Sequence, residues 1–269
     1  MSKLPVSAFI ICQNEEAYLG ACIESLSQFA DIVIVDSGST DGTIALIHQY
    51  IENGWPIRLF HEGWRGYAAQ KQFALEQCRE EWCFNIDSDE RLDADLRQVL
   101  GELIAAPGDI VGWRVARRPY LIGFGYTPPR VKERKNLRLI RKGRGAYDLT
   151  QAVHEGIVAQ GRVEKAAKGS LLHFRPLLMD EQILKENKYS SLKAEQQFRE
   201  GRKASLLKLL FSPWSYFLRL YCKNGLWRCG TSGFIEAMTG AVYAFLTQAK
   251  LYQRQALKHR PNIDDAQDH

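Results

Sequence analysis

The chain has 269 residues, with 36 Lys and Arg against 31 Asp and Glu, a net charge of +5 and a 45% hydrophobic share. That length suits one large α/β domain with an appendage, or two small domains, and is enough to bury a compact core. The composition is that of an ordinary globular protein and excludes a low-complexity or repeat architecture.

Six cysteines, at 12, 22, 78, 83, 222 and 229, form no C-x-x-C pair. They read as buried thiols rather than structural zinc ligands. The apolar run after the N-terminal Met is too short for a secretory leader, so the expected location is a reducing cytoplasm. Charge is unevenly spread: Gly201 to Arg260 holds ten Lys and Arg against the single acid Glu236. A second basic cluster runs through Arg130, Lys132, Arg134, Lys135, Arg138, Arg141, Lys142 and Arg144. Such asymmetry points to an anionic partner: nucleic acid, an anionic membrane or a phosphorylated substrate.

In chain order, Val6–Ile11 is a short apolar run, as expected of a buried parallel strand. Asn14-Glu15-Glu16 then opens a helix with Leu19, Ile23 and Leu26 on one face. Ile32–Val35 is the second strand, stopping at the turn-rich Asp36-Ser37-Gly38-Ser39-Thr40-Asp41-Gly42, where Asp41 caps a helix through Ile44, Ile47 and Ile51. Ile57–Phe60 is the third strand and Tyr67–Cys78 a helix. Trp82–Ile86 is the fourth strand and runs straight into Asp87-Ser88-Asp89-Glu90. This alternation predicts right-handed crossovers and an open, mostly parallel sheet, whose ligands lie beyond the carboxyl ends of the strands.

Further on, strands are expected at Ile110–Ala116, Leu137–Ile140, Val153–Val158 and Ser170–Phe174. Asp180 is placed as the cap of a long helix, followed by apolar segments Ala204–Cys222 and Gly233–Ala249. The organisation read from this is a catalytic domain over 1–178, divided at 120 into a nucleotide half and an acceptor half. A basic helical region follows over 179–269.

Two polar clusters thus fall at strand ends. Asp87 and Asp89, one residue apart, can reach one divalent cation and the ribose-diphosphate beside it, since Mg²⁺ and Mn²⁺ prefer oxygen ligands shared with substrate phosphates. Asp36 can accept a hydrogen bond from a base N–H or a ribose hydroxyl. The absence of G-x-G-x-x-G and of a P-loop disfavours dinucleotide and P-loop chemistry.

Val6-Ser-Ala-Phe-Ile-Ile-Cys-Gln-Asn-Glu-Glu, Ile34-Val-Asp-Ser-Gly-Ser-Thr-Asp-Gly-Thr, Gly66-Tyr-Ala-Ala-Gln-Lys-Gln-Phe-Ala-Leu and Phe84-Asn-Ile-Asp-Ser-Asp-Glu follow in the order seen in family 2 glycosyltransferases, which the first 120 residues or so resemble. Ala152-Val-His-Glu and the basic C-terminal helices resemble the lipopolysaccharide-core branch, the WaaE/KdtX-like β-glucosyltransferases. The resemblance implies a GT-A α/β fold with helices on both faces of the sheet and a C-terminal helical extension. It also implies an inverting, metal-dependent transfer of glucose from UDP-glucose to a heptose of the inner core. Carried over by position, Asp36 meets the nucleobase, Gln70 and Lys71 lie near the uracil, and Glu15 lines the nucleotide pocket. Asp87 contacts ribose or metal, and Asp89 is the metal ligand, for Mg²⁺ or Mn²⁺. The Gln-x-x-Arg-Trp motif of processive synthases is missing, which argues against repeated extension.

Inversion by direct displacement needs a base for the acceptor hydroxyl. Glu155 is the first choice and Asp148 the second, with His154 assisting; Asp180 is a distant third, and His173 is left aside as a structural hydrogen-bonding residue. The basic cluster of 130–144 reads as a loop over the donor phosphates, a dock for phosphorylated core, or a solvated hairpin. Its few interleaved aromatics make nucleic acid the weaker partner.

The C-terminal segments carry too many charges, or are too short, to span a bilayer. They fit an interfacial attachment to an anionic leaflet on the cytoplasmic side, or else a helical pair that covers the sheet or packs on a second copy. A sugar nucleotidyltransferase of similar fold is the rival enzyme, although the first turn, Cys12-Gln-Asn-Glu-Glu, is acidic rather than glycine-rich. A non-catalytic membrane or partner-binding module is the rival outside enzymes.

Overall fold

The computed structural model describes residues 3–131, 135–149 and 156–258. Two compact units form: Met1–Pro119 with Glu133–Arg175, and Tyr120–Lys132 with Pro176–His269.

The first unit opens with β1 (Leu4–Cys12), α1 (Glu16–Ser25), β2 (Phe29–Asp36), α2 (Thr43–Glu52), β3 (Ile57–His61), α3 (Tyr67–Glu76) and β4 (Trp82–Asn85). After the acidic turn come β5 (Glu90–Leu92), α4 (Ala94–Ala105) and β6 (Ile110–Leu121), whose last two residues belong to the second unit and pair there with the short β7 (Gly125–Tyr126). β8 (Lys135–Arg141), β9 (Gly145–Tyr147), β10 (Ile157–Ala159) and β11 (Arg162–His173) complete the strands. The main sheet runs β3-β2-β1-β4-β8-β6-β11-β5 among the described residues. The first four strands are mutually parallel, β8 is inserted antiparallel, and β11 runs parallel to β6. β9 and β10 form a separate antiparallel pair.

The apolar runs are continuous because both faces of the sheet are covered. Along β2, Ile32 and Ile34 join the core made with α1, α2 and α4, while Val33 and Val35 join the opposite core made with α3 and β9. This is the two-residue alternation of a strand, with apolar partners on each side. Close approach of α4 to the sheet needs Gly169, which has φ +82 and where a Cβ would lie 2.4 Å from the Leu96 Cα.

Away from the strand ends, a buried polar clamp ties three elements together. Arg58 of β3 grips the Asp31 carboxylate of β2 with two bonds of 2.8 Å, and Ser7 of β1 donates to it at 2.6 Å. Ser7 also accepts from the Arg79 and Glu80 amides, each at 3.0 Å. Burial pushes the Asp31 carboxyl up, but the Arg58 and Ser7 bonds outweigh it and hold the group below its ordinary value. Its contribution to stability is therefore complete above the unfolded value near 3.8 and is lost as pH falls through the lower folded value. Acid titrations of the melting temperature should show a shallower decline below about pH 4 in Asp31→Asn than in the parent, with a lower plateau near neutrality.

The second unit is built on three helices, α5 (Met179–Arg199), α6 (Leu206–Leu218) and α7 (Gly230–Lys258), with a π turn over Arg219–Lys223 and a 3₁₀ turn over Leu226–Cys229 between the last two. The cap expected at Asp180 lies at Leu178 instead: the Glu181 carboxylate accepts the Leu178 N–H at 2.9 Å, leaving Asp180 in the first turn. A negative charge there suits the helix dipole. α7 is far longer than the apolar pattern suggested, because its small residues are packed rather than breaking the helix. A Cβ at Gly233 would stand 2.0 Å from the Leu226 carbonyl oxygen, and one at Gly240 2.5 Å from the Leu220 side chain. Leu121, Val131, Leu226, Cys229 and Ala237 form this unit's core. No helix among the described residues is long and apolar enough to cross a membrane.

Of the cysteines, all are free; Cys222 is exposed and the other five are buried.

Candidate active site

The parallel strands β1, β2 and β4 deliver their carboxyl ends to one edge of the sheet, and the acidic residues lie there. Asp36 ends β2 and is 2% exposed. Its oxygens accept the Gly38 amide at 2.9 Å, the Ser39 amide at 3.1 Å and the Ser39 hydroxyl. Asp36 therefore holds its own turn closed, and the Cys12 thiol also donates to its Oδ1 at 3.8 Å. Asn14, the one described non-glycine residue at positive φ, ties this turn to the β1–α1 loop by accepting the Thr40 amide at 2.7 Å. The cap expected at Asp41 lies at Gly42 instead, without a side-chain cap bond; Asp41, one residue earlier, accepts the Thr43 amide at 3.0 Å and the Glu16 amide at 3.2 Å.

Gln70 is fully buried and donates to the Ser37 hydroxyl and the Glu62 carbonyl, both at 2.9 Å. Its Oε1 has no hydrogen-bond partner among the described residues. Lys71, one residue on, turns to Asp87 instead, with Nζ 2.9 Å from Oδ1.

Asp87 is held from the other side by Arg138 of β8, at 3.1 Å. The same guanidinium donates to Glu90 at 2.8 Å and to the Asn85 side chain at 2.6 Å. Burial favours the protonated form of Asp87, but Arg138 and Lys71 prevail and hold it well below the usual carboxylate range. Glu90, wholly buried, is pushed up by burial and by Asp87, despite Arg138 and Arg117 beside it. The cluster of two acids and three cations is thus compensated inside the protein.

Asp89 makes a different set of contacts. Its Oδ2 lies 3.2 Å from His173 Nε2, at the end of β11, and 2.7 Å from Arg175 Nε. Arg175 also donates to Glu15 at 2.6 Å and stacks over Tyr18 with its guanidinium carbon 4.9 Å from the ring centre. Burial raises the Asp89 carboxyl, but His173 and Arg175 lower it further, so it stays ionised. The backbone fixes this pairing: His173 stands opposite Glu90 in the β11–β5 ladder, and the Phe174 amide donates to the Asp89 carbonyl at 2.8 Å.

The structure therefore joins Lys71 to Asp87, joins Glu15 to Asp89 through Arg175, and links Gln70 to the residue after Asp36. Asp148 follows β9 and is half-buried. His154 and Glu155 lie outside the described residues, as do Lys132 and Arg134. Sequence reading missed His173, Arg175, Glu90 and the inward role of Arg138. Arg138 lies in β8, where the strand over Leu137–Ile140 is expected, but it is buried rather than part of a solvated basic cluster.

No cluster of three or more His, Cys, Asp or Glu side chains able to hold a metal occurs among the described residues. Asp89 and His173 are the pair that would hold a divalent cation taking its other ligands from a donor and water, in exchange for the contact of Asp89 Oδ2 with Arg175 Nε at 2.7 Å. The facing atoms of Asp89 and His173, 3.2 Å apart, match the spacing of about 3 Å between neighbouring ligands of an octahedral ion with bonds of about 2.1 Å.

The architecture is shared with a mannosyltransferase from Pyrobaculum calidifontis, solved with GDP-Man and Mn²⁺. The likeness has TM-score 0.58, 13% identity, and coverage of 95% of this chain and 89% of that one. S. aureus TarS 1-349, solved with UDP, matches at TM-score 0.50 and 14% identity, over 97% of this chain and 93% of that one. The fold is thus the GT-A fold, a mostly parallel α/β sheet with helices on both faces. Residues 7–157 match the family described as glycosyl transferase family 2. A Rhizobium meliloti (strain 1021) protein, the lipopolysaccharide core biosynthesis glycosyltransferase LpsC, is 72% identical over 267 residues, covering 99% of each chain. The chain belongs to glycosyl transferase family 2 and is a glycosyltransferase enzyme.

Proposed function

We propose that this glycosyltransferase moves glucose from UDP-glucose, with inversion, onto a heptose of the lipopolysaccharide inner core. The observation that carries the donor half is the Asp89–His173 pair standing beside an Asp87 already locked by Lys71 and Arg138. The likeness to LpsC supports the acceptor class.

In this reading Asp89 and His173 hold Mg²⁺ or Mn²⁺, with Asp87 toward the ribose and diphosphate. When bound, the cation offsets charge developing on the departing diphosphate. Lys71 and Arg138 keep Asp87 ionised and fixed in orientation. Asp36 and Gln70 receive the nucleobase, with the unpartnered Gln70 Oε1 accepting a base N–H. Glu15, through Arg175, keeps the first loop against the acidic turn.

Glu155 is the base, with Asp148 the alternative and His154 its neighbour. The acceptor hydroxyl oxygen attacks the anomeric carbon as its proton passes to the carboxylate, and the bond to UDP breaks with both electrons leaving on the diphosphate. The protein works on the cytoplasmic face of the cytoplasmic membrane, attached peripherally through its basic helical unit.

Calorimetry of the full chain with UDP- and GDP-sugars, followed by transfer assays on heptose-terminated core acceptor, tests this. UDP-glucose should be preferred, EDTA should stop transfer, and Mn²⁺ or Mg²⁺ should restore it. Glu155→Gln should lower kcat by about 100-fold or more while leaving UDP binding intact. Preference for a GDP-sugar, transfer in EDTA, or a nearly active Glu155→Gln would each sink the corresponding part.

A further inference from the structure

The helix α6 has no buried residue over its whole length. Leu206, Leu207, Leu210, Phe211, Trp214 and Leu218 are 52–71% exposed. At about 100° per residue these six fall within one arc of about 140°. Tyr216 and Leu220 instead line contacts with α7 at Gly240, and Phe217 packs on Phe234. Except at Phe217, which falls beside Leu206 in the same arc and packs on Phe234, this is the side of α6 left uncovered among the described residues, and its large side chains are too closely grouped for scattered surface residues.

Charge indicates what covers it. Arg202, Lys203, Lys208, Arg219, Lys223 and Arg228 are exposed on and beside the helix, and residues 201–235 contain no Asp or Glu. Trp227, 51% exposed, stands at the same end as Arg228, whose guanidinium lies 4.2 Å from the Trp227 ring centre. A second copy docked on this face by two-fold symmetry would bring basic flank against basic flank, which opposes a dimer. An anionic leaflet answers both features: acyl chains take the Leu, Phe and Trp side chains, and headgroup phosphates take the Lys and Arg heads. The helix is about 20 Å long, too short to span a core of about 30 Å, so it lies in the plane of the interface.

We infer that α6 is the element that enters the membrane, with Leu207 and Trp214 at the centre of the inserted face and Phe211 at its edge. This rests on the peripheral attachment proposed above and names the residues that carry it.

The test uses the full chain and vesicles of phosphatidylcholine, alone or with about 30% phosphatidylglycerol. The parent should co-sediment with anionic vesicles in a salt-sensitive way, and brominated lipids should quench its fluorescence. The combined Leu207→Ser, Phe211→Ser and Trp214→Ser variant should bind about tenfold or more weakly, with donor binding unchanged as evidence of folding. Trp214→Phe alone should keep binding but lose most of the quenching. Lys203→Gln with Lys208→Gln should weaken binding and flatten its salt dependence. If the parent binds and the triple variant binds equally, α6 is not the inserting element although peripheral attachment stands. If the parent ignores anionic vesicles at low salt, both ideas fall. Sedimentation velocity showing a parent dimer that the triple variant dissolves, with vesicle binding unaltered, would overturn the proposal in favour of a second copy.

Discussion

Asp89→Asn should lower kcat by on the order of 10³-fold while the folded protein survives. The substitution keeps size but removes the charge that a divalent ion and its diphosphate need, and lost charge stabilisation at a reacting centre costs about 10²–10³ in rate. His173→Ala should cost about 10- to 100-fold, because one neutral ligand is lost while the carboxylate stays. The two should also differ from ordinary destabilised variants in what they do to metal. Titration of Mn²⁺ in the presence of UDP should show weakened binding in both, with thermal midpoints close to the parent. Full activity and unchanged Mn²⁺ affinity in His173→Ala would exclude the pair as the cation-holding centre.

The second large effect is on stability. In Arg138→Met a buried guanidinium disappears from between Asp87 and the fully buried Glu90. Among the described residues, Glu90 then keeps Arg117 and the Asp87 amide, and Asp87 keeps Lys71. Leaving buried acids partly uncompensated costs about 3–5 kcal/mol, which for a chain of this size lowers the melting temperature by about 10 °C. Adding Glu90→Gln should return part of that loss, because the neutral amide no longer needs the cation. A double variant that melts at the temperature expected from simple addition would show that the two groups are not coupled. Calorimetric melts of the four proteins decide it.

The contrast between these residues explains what the sequence could and could not reveal. The four parallel strands were legible because burial on both faces writes itself as unbroken runs such as Ile32–Val35. Asp87-Ser88-Asp89 was legible because such a run ended there. The partners were not. His173 reaches Asp89 from 84 residues away, on a strand whose order in the sheet no local pattern states. Arg138 sat in a stretch rich in Lys and Arg, and only insertion of β8 between β4 and β6 turns it inward. Helix ends were similarly misplaced at Asp180, where Glu181 satisfies the preceding amide, and in α7, where glycines that usually end helices are required by close packing.

One feature of the ladder bears on how the enzyme meets its donor. β5 follows the acidic turn at once and pairs with the end of β11, His173 opposite Glu90, and the Phe174 amide holds the Asp89 carbonyl of the turn beside that rung. The relative placement of Asp89 and His173 is settled when the sheet folds, before any donor arrives. Little reorganisation is left for this part of the site during a turnover. In the function proposed above, the sheet would then act as a fixed reference frame for the donor diphosphate.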